Sequence, residues 1–173
     1  MADKGVPDVT LATEDTYHHG YAQKQRVAFS REVLSFALGG EEYAIDILRI
    51  REILKHRPAT EVPRVPTFIL GVIAVRGQII PVMDLRLRVR VAAAPPGKDG
   101  RILVVTHKGE PYGLLCDAVH QVVRMREEEV EPPPALLAGA EGDFIAGIGR
   151  PRPDRMLILL NLDTLLSFSV GRP

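Results

Sequence analysis

Two stretches of the chain, 69 residues apart, read alike. Gly40-Glu41-Glu42-Tyr43-Ala44-Ile45-Asp46 and Gly109-Glu110-Pro111-Tyr112-Gly113-Leu114-Leu115 each pass from a glycine turn through an acidic residue and a tyrosine into an apolar strand. Two later stretches also match. Pro81-Val82-Met83-Asp84-Leu85 and Asn161-Leu162-Asp163-Thr164-Leu165 each close an apolar strand on Asp and then a leucine, which sets Asp84 against Asp163. Repetition of this kind marks a duplicated supersecondary unit. Each copy holds roughly four or five short strands broken by Gly and Pro, with little helix. That predicts two small antiparallel barrels, a fold that removes exposed strand edges by closing. The halves fall at about 31–90 and 101–168, joined by a loop at 91–100 (VAAAPPGKDG).

The strands can be placed one by one. Val33 to Leu38 alternates at period two, Gly39-Gly40 supplies a tight turn, and Tyr43, Ile45 and Ile47 continue the alternation. This is a hairpin, since glycine accepts the positive φ such turns demand. Ile47 to Leu54 reads as a strand entered through a helical turn. Ile69 to Val75 and Gln78 to Leu85 form a second hairpin with Arg76 at its tip. Arginine disfavours positive φ, so the simplest turn puts Gly77 alone in the left-handed position. Pro81 cannot donate to a ladder and marks an edge or a bulge. Val72 to Val75 and Met156 to Leu160 lack polar alternation and should be covered on both faces. Further hairpins join Ile102–Thr106 to Tyr112–Asp117 through Lys108-Gly109, and Phe144–Ile148 to Met156–Leu162. Asp163 to Phe168 reads as a short closing helix with Asp163 as its N-cap.

A chain of 173 residues buries enough surface to fold without a disulfide or a metal. Cys116 is the only cysteine, which fits a reducing compartment such as the cytoplasm. Lys plus Arg and Asp plus Glu are both 22, so net charge offers no attraction to nucleic acid or an anionic membrane. No apolar run is long enough to span a membrane, and residues 1–28 read as a mobile polar tail without a signal sequence. His18 and His19 sit in that tail as solvated side chains rather than a metal site.

No pattern calls for catalysis or a cofactor. Cys116 lies within an apolar strand and reads as a small buried hydrophobe, not a nucleophile. His56, His107 and His120 lack metal-ligand spacing, and no CxxC, HExxH, GxSxG or phosphate-loop motif occurs. Asp84 and Asp163 sit at strand ends, where capping outweighs acid–base work. Arg86, Arg88 and Arg90 would share one strand face. They support a second reading, a small nucleic-acid-binding barrel, although only 5% of the chain is aromatic, which disfavours base stacking.

Several of these segments together resemble a known family. They are Phe36 to Leu48 with Glu52-Ile53, Phe68-Ile69-Leu70-Gly71-Val72-Ile73 with Arg76-Gly77, Ile80-Pro81-Val82-Met83-Asp84-Leu85-Arg86, and Asp154 to Leu162. The chain is similar over about Glu32 to Phe168 to CheW, the coupling adaptor of bacterial chemotaxis. The resemblance implies a mainly β fold of two SH3-like five-stranded antiparallel barrels around a shared hydrophobic core, with short helices, in a single domain at 29–168. It implies a non-catalytic scaffold without cofactor or metal. The implied partners are the regulatory domain of a CheA-type histidine kinase, the cytoplasmic tips of chemoreceptors and other CheW-like domains in arrays. By position, Arg76 matches the family's hairpin arginine, Ile50 and Glu52 a contact segment, and Gly71 and Gly77 glycines that shape this region. Alone, Arg76 would read as a solvated turn residue and Glu52 as half of an intramolecular ion pair. One departure stands out: the family's asparagine two places before the arginine is Ala74 here.

Overall fold

The computed structural model describes residues 31–92, 94–137 and 142–168; the segment read as a tail, with His18 and His19, lies outside them. Strands β1 (Arg31–Leu38) and β2 (Glu41–Asp46) form the first hairpin, with Gly39 and Gly40 both left-handed at the turn. The Asp46 carboxylate then accepts from the Leu48 amide and opens a 3-10 turn at Ile47–Arg49, which leads into β3 (Ile50–Lys55). Strand β4 (Ile69–Val75) and β5 (Gln78–Asp84) form the second hairpin, followed by the one-turn helix α1 (Leu85–Arg88). The second half repeats the series with β6 (Arg101–His107), β7 (Glu110–Cys116), β8 (Ala118–Met125), β9 (Val130–Glu131), β10 (Ile145–Arg152), β11 (Arg155–Leu160) and α2 (Leu162–Leu165).

The strands assemble into two SH3-like sheets, in the orders β8-β1-β2-β11-β10-β9 and β3-β6-β7-β5-β4. Exchanging each element of one half for its counterpart in the other converts one order into the other, with β9 left over. The repeat is therefore a pseudo-twofold. The halves do not each make a barrel, however. The first half gives β1 and β2 to one sheet and β3, β4 and β5 to the other, and the second half reciprocates. This exchange also corrects the all-antiparallel expectation, because each sheet is joined across the halves by one parallel pair, β2 with β11 and β5 with β7.

Alternate residues along the inner strands feed different cores. Ile102 and Val104 enter one barrel interior with Ile80, Val82 and Leu115. Leu103 and Val105, their neighbours on β6, enter the core shared between the sheets with Phe36, Met83 and Leu114. Val33, Ala44, Leu157 and Leu159 fill the other barrel. Inner strands buried on both faces explain the continuous apolar runs. Neither run singled out by sequence is covered on both faces throughout: β4, a terminal strand, leaves Ala74 exposed and Val72 half-buried, and β11 leaves Met156 exposed and Ile158 half-buried.

Four local readings change. Arg76 and Gly77 are both left-handed, at φ +50° and +78°, as are Lys108 and Gly109. A two-residue turn that follows the right-handed twist of its strands needs positive φ at both positions, and this outweighs arginine's own preference. Pro81 lies in an inner strand, at the point where β5 is paired with β4 and the parallel ladder to β7 starts one residue later. The cap of α2 is Asn161, whose side chain accepts from the Asp163 and Thr164 amides. Asn161, not Asp163, is thus the counterpart of Asp84, and the amides of both donate to a phenylalanine carbonyl, Phe144 and Phe68 respectively, at 2.7 and 2.8 Å. Finally, Arg86, Arg88 and Arg90 are not on a strand. A helix turns about 100° per residue, so residues two apart point away from each other.

Candidate functional site

The residues singled out by sequence sit on the barrel formed by β3, β6, β7, β5 and β4. On β3, Ile50, Glu52 and Leu54 are half-buried while Arg51, Ile53 and Lys55 face out. A bulge against β6 between Ile50 and Glu52 re-aims the strand at this point. Arg76, at the β4–β5 tip, reaches back to Glu52: its Nε donates to Oε2 at 3.1 Å and its Nη2 lies 3.0 Å from the same oxygen. β3 and β4 are the two terminal strands of this sheet, so the ion pair spans the opening of the barrel. The Arg76 side chain keeps 83% of its exposure and Glu52 only 23%. Around them lies a shallow depression walled by Arg51, Glu52, Arg76 and Gln78 over Val75, Ile80 and Val104.

The other three residues have supporting places. Gly77 meets no atom where a Cβ would stand, and its requirement is the left-handed turn alone. Gly71, at φ +139°, lets the Thr60 backbone approach so closely that a Cβ would fall 2.1 Å from the Thr60 carbonyl oxygen. Thr60 and Val72 exchange backbone bonds of 2.8 and 2.9 Å there. Ile50 packs against the shared core. The structure thus joins Glu52 to Arg76 and places Gly71 and Ile50 behind them. Ala74, two residues before Arg76, has its carbonyl held by Arg57 Nη2 at 2.6 Å. A side chain from the neighbouring segment anchors β4 just before the tip. Nothing in the spacing of Arg57 and Ala74 announces this contact.

The arginine stripe dissolves on inspection. Arg86 is buried, 3.2 Å from Asp117 Oδ1 and 3.6 Å from Asp84, and Asp117 Oδ2 accepts from the Gly39 amide. Arg88 stacks between Phe68 and Phe144, 4.5 Å from each ring centroid, and donates to the Leu165 carbonyl at 2.9 Å. Phe68 and Phe144 are counterparts under the pseudo-twofold, so one guanidinium bolts the halves together. Neither arginine offers its charge to a phosphate, and the nucleic-acid reading loses the face it needed.

Other candidate groups are also structural. Burial pushes the Cys116 thiol up to about 12, assisted by the adjacent Asp117 charge. A thiol that keeps its proton is a poor nucleophile. Asp84 caps α1 through the Arg86 amide. Asp163 bonds Arg49 and stands 3.2 Å from buried His107, and the Arg49 guanidinium holds its carboxyl below the usual range. Among the described residues no three His, Cys, Asp or Glu are grouped to hold a metal ion, and no helix is long and apolar enough to cross a membrane.

At the other barrel, sequence reasoning missed a polar cluster. Arg155 forks onto both oxygens of Glu42, with Nε donating at 3.0 Å, and its Nη2 also reaches buried Ser35 at 3.3 Å. The Arg155 guanidinium, with help from Ser35 and His120 and against the effect of burial, holds the Glu42 carboxyl down to about 2. A carboxylate with a lower pKa folded than unfolded stabilises fully above the unfolded value, and loses this as pH falls through the folded one. Glu42→Gln is therefore expected to cost about 1–2 kcal/mol at neutral pH. The deficit against wild type should shrink from pH 4.5 toward about 2 in pH-resolved thermal melts. A deficit independent of pH would exclude the charge as its source.

Comparison with known proteins agrees with this architecture. Residues 32–169 match the family model described as CheW-like domain. The chain is 34% identical over 147 residues to a probable chemotaxis protein CheW of Rhizobium etli, covering 85% of this chain and 94% of that protein. It is 35% identical over 135 residues to the chemotaxis protein CheW of Helicobacter pylori, covering 78% and 81%. The crystal structure of the scaffolding protein TtCheW from Thermoanaerobacter tengcongensis superposes with a TM-score of 0.74 at 35% identity, covering 82% of this chain and 95% of that one. With a family model spanning 32–169, and so both barrels, and relatives at 34–35% identity over most of the chain, the chain belongs to the CheW-like domain family.

Proposed function

We propose that this chain is a non-catalytic cytoplasmic scaffold of chemotaxis-like signalling. It couples the tips of chemoreceptors to the regulatory domain of a CheA-type histidine kinase, and residues 29–168 act as its single docking domain. The observation that carries this reading is Arg76, presented at a hairpin tip and oriented by Glu52. A guanidinium offers five donors in a planar fork that suits a carboxylate across an interface. The two-residue turn and the Arg57 clasp on Ala74 fix where that fork stands. Ile50, Glu52, Gly71, Arg76 and Gly77 make up or support the contact surface.

A pull-down with the full chain should recover both the kinase regulatory domain and the receptor tips. Arg76→Ala and Glu52→Lys should each lower the recovered fraction, with affinity falling about tenfold for a hot-spot contact. Melting temperature should stay near wild type, since an exposed ion pair contributes only about 0–1 kcal/mol. Recovery of neither partner by the wild-type chain would sink the coupling reading.

A further inference from the structure

The seam between the halves carries two ion pairs that the pseudo-twofold relates, with their charges exchanged. The second residue past the helix cap is Arg86 after Asp84 in α1 and Asp163 after Asn161 in α2. Each faces the link between the second and third strands of the opposite half. Arg86 Nη1 lies 3.2 Å from Oδ1 of Asp117, between β7 and β8. Asp163 Oδ1 accepts from Nη2 of Arg49 at 3.2 Å, in the 3-10 turn between β2 and β3. The two links also bond equivalent carbonyls across the seam. The Asp117 amide donates to Ala37 at 3.0 Å, and Arg49 Nε donates to Thr106, 69 residues on from Ala37, at 3.2 Å. The geometry is shared and the polarity is not. The first half supplies both arginines, the second half both aspartates. Asp84, 3.6 Å from Arg86, and His107, 3.2 Å from Asp163, each lie in the same half as their neighbour and carry no information about the other.

A duplicated unit has a hazard of its own. The seam is built of equivalent elements, so backbone alone does not distinguish a half's true partner from a duplicate of itself. Two first halves would set Arg86 against Arg49, and two second halves Asp163 against Asp117. The Arg86 side chain is only 4% exposed, so water cannot screen that clash, and a buried charge without its partner is costly. Stability alone does not call for such pairs, since a buried ion pair has little net advantage over apolar packing. We propose that Arg49, Arg86, Asp117 and Asp163 form a charge code by which each half accepts only a half of opposite sign. The surface is the seam, and the partner it fits is the other half of the same chain, tethered by the 91–100 loop. The code governs assembly of the domain itself and holds whatever the domain then docks.

Full-length chains test this, with caps and charges exchanged between the halves. Arg49→Asp with Asp84→Asn and Arg86→Asp makes the first half acidic at the seam. Asp117→Arg with Asn161→Asp and Asp163→Arg makes the second half basic. Either chain alone then meets like charge at both pairs, and circular dichroism should show no cooperative melt. An equimolar mixture should regain one, at a temperature that climbs with concentration, because each half finds its opposite on the other chain. The mixture should sediment at the mass of two chains. All six substitutions in one chain should restore a monomer that melts cooperatively. Half-reversed chains that fold unaided overturn the proposal. So does a mixture that stays unfolded, or a chain with all six substitutions that is no more stable than the half-reversed ones.

Discussion

Cut within the 91–100 loop, the chain is expected to give two fragments that do not fold alone and that rebuild the domain when mixed. A fragment ending at 92 holds β1, β2, β3, β4 and β5, which suffices by length for a small barrel. Its strands nevertheless belong to two sheets. β1 lacks β8, β2 lacks β11, β3 lacks β6 and β5 lacks β7. Two separate hairpins remain, and isolated hairpins are marginal in water. The shared core also needs both fragments, since Phe36, Leu38 and Met83 pack against Leu103, Val105 and Leu114. Arg88 from one fragment loses Phe144 and the Leu165 carbonyl from the other. Circular dichroism should show each fragment without a cooperative melt. The mixture should show one, at a temperature that climbs with concentration as for any bimolecular fold. A cooperative melt from the first fragment alone would mean that the halves are self-sufficient barrels after all.

Much of this fold is legible in the sequence, because hairpins are local. Gly39-Gly40, Arg76-Gly77 and Lys108-Gly109 mark turns, and the period-two runs beside them place most strands. Which hairpin joins which is another matter. The pairings β1 with β8 and β2 with β11 link residues far apart, and alternation carries no information about a distant partner. The repeat discloses the pseudo-twofold yet leaves the exchange hidden, since self-contained and exchanged halves have the same pattern. Misreading Arg86, Arg88 and Arg90 has a related cause. Leu85-Arg86-Leu87-Arg88-Val89-Arg90 alternates like a strand, and a single helical turn is too short to show its own period. Asp84, a good N-cap residue just before it, was the available signal. At the candidate site, the family resemblance singled out Glu52 and Arg76; the sequence did not show that they pair with each other, nor that Arg57 holds Ala74. Both contacts join segments well apart in sequence that only the barrel brings together.

Gly71→Ala is expected to be far more damaging than Gly77→Ala, although both glycines have positive φ. At Gly77 an added methyl meets nothing within 4 Å. The substitution costs only the left-handed conformation, about 1 kcal/mol, and Gly77→Asn should cost less, because asparagine tolerates that region. At Gly71 the same methyl would stand 2.1 Å from the Thr60 carbonyl oxygen and 2.6 Å from its carbon. Neither is the end of a flexible side chain, so backbone must move. The movement breaks the two Thr60–Val72 bonds, worth about 1 kcal/mol each, on top of the conformational term. A loss of roughly 3 kcal/mol follows, read as a lower urea midpoint at unchanged slope. The displaced segment also carries Arg57, three residues before Thr60, so the clasp on the Ala74 carbonyl should loosen. Amide exchange at Val75 to Gln78 should then quicken in Gly71→Ala and stay slow in a variant of about equal destabilisation from the shared core, such as Leu103→Ala. If Gly71→Ala costs no more than Gly77→Ala, the close approach of Thr60 is not what requires glycine. Gly71 would then shape the hairpin only through its own backbone.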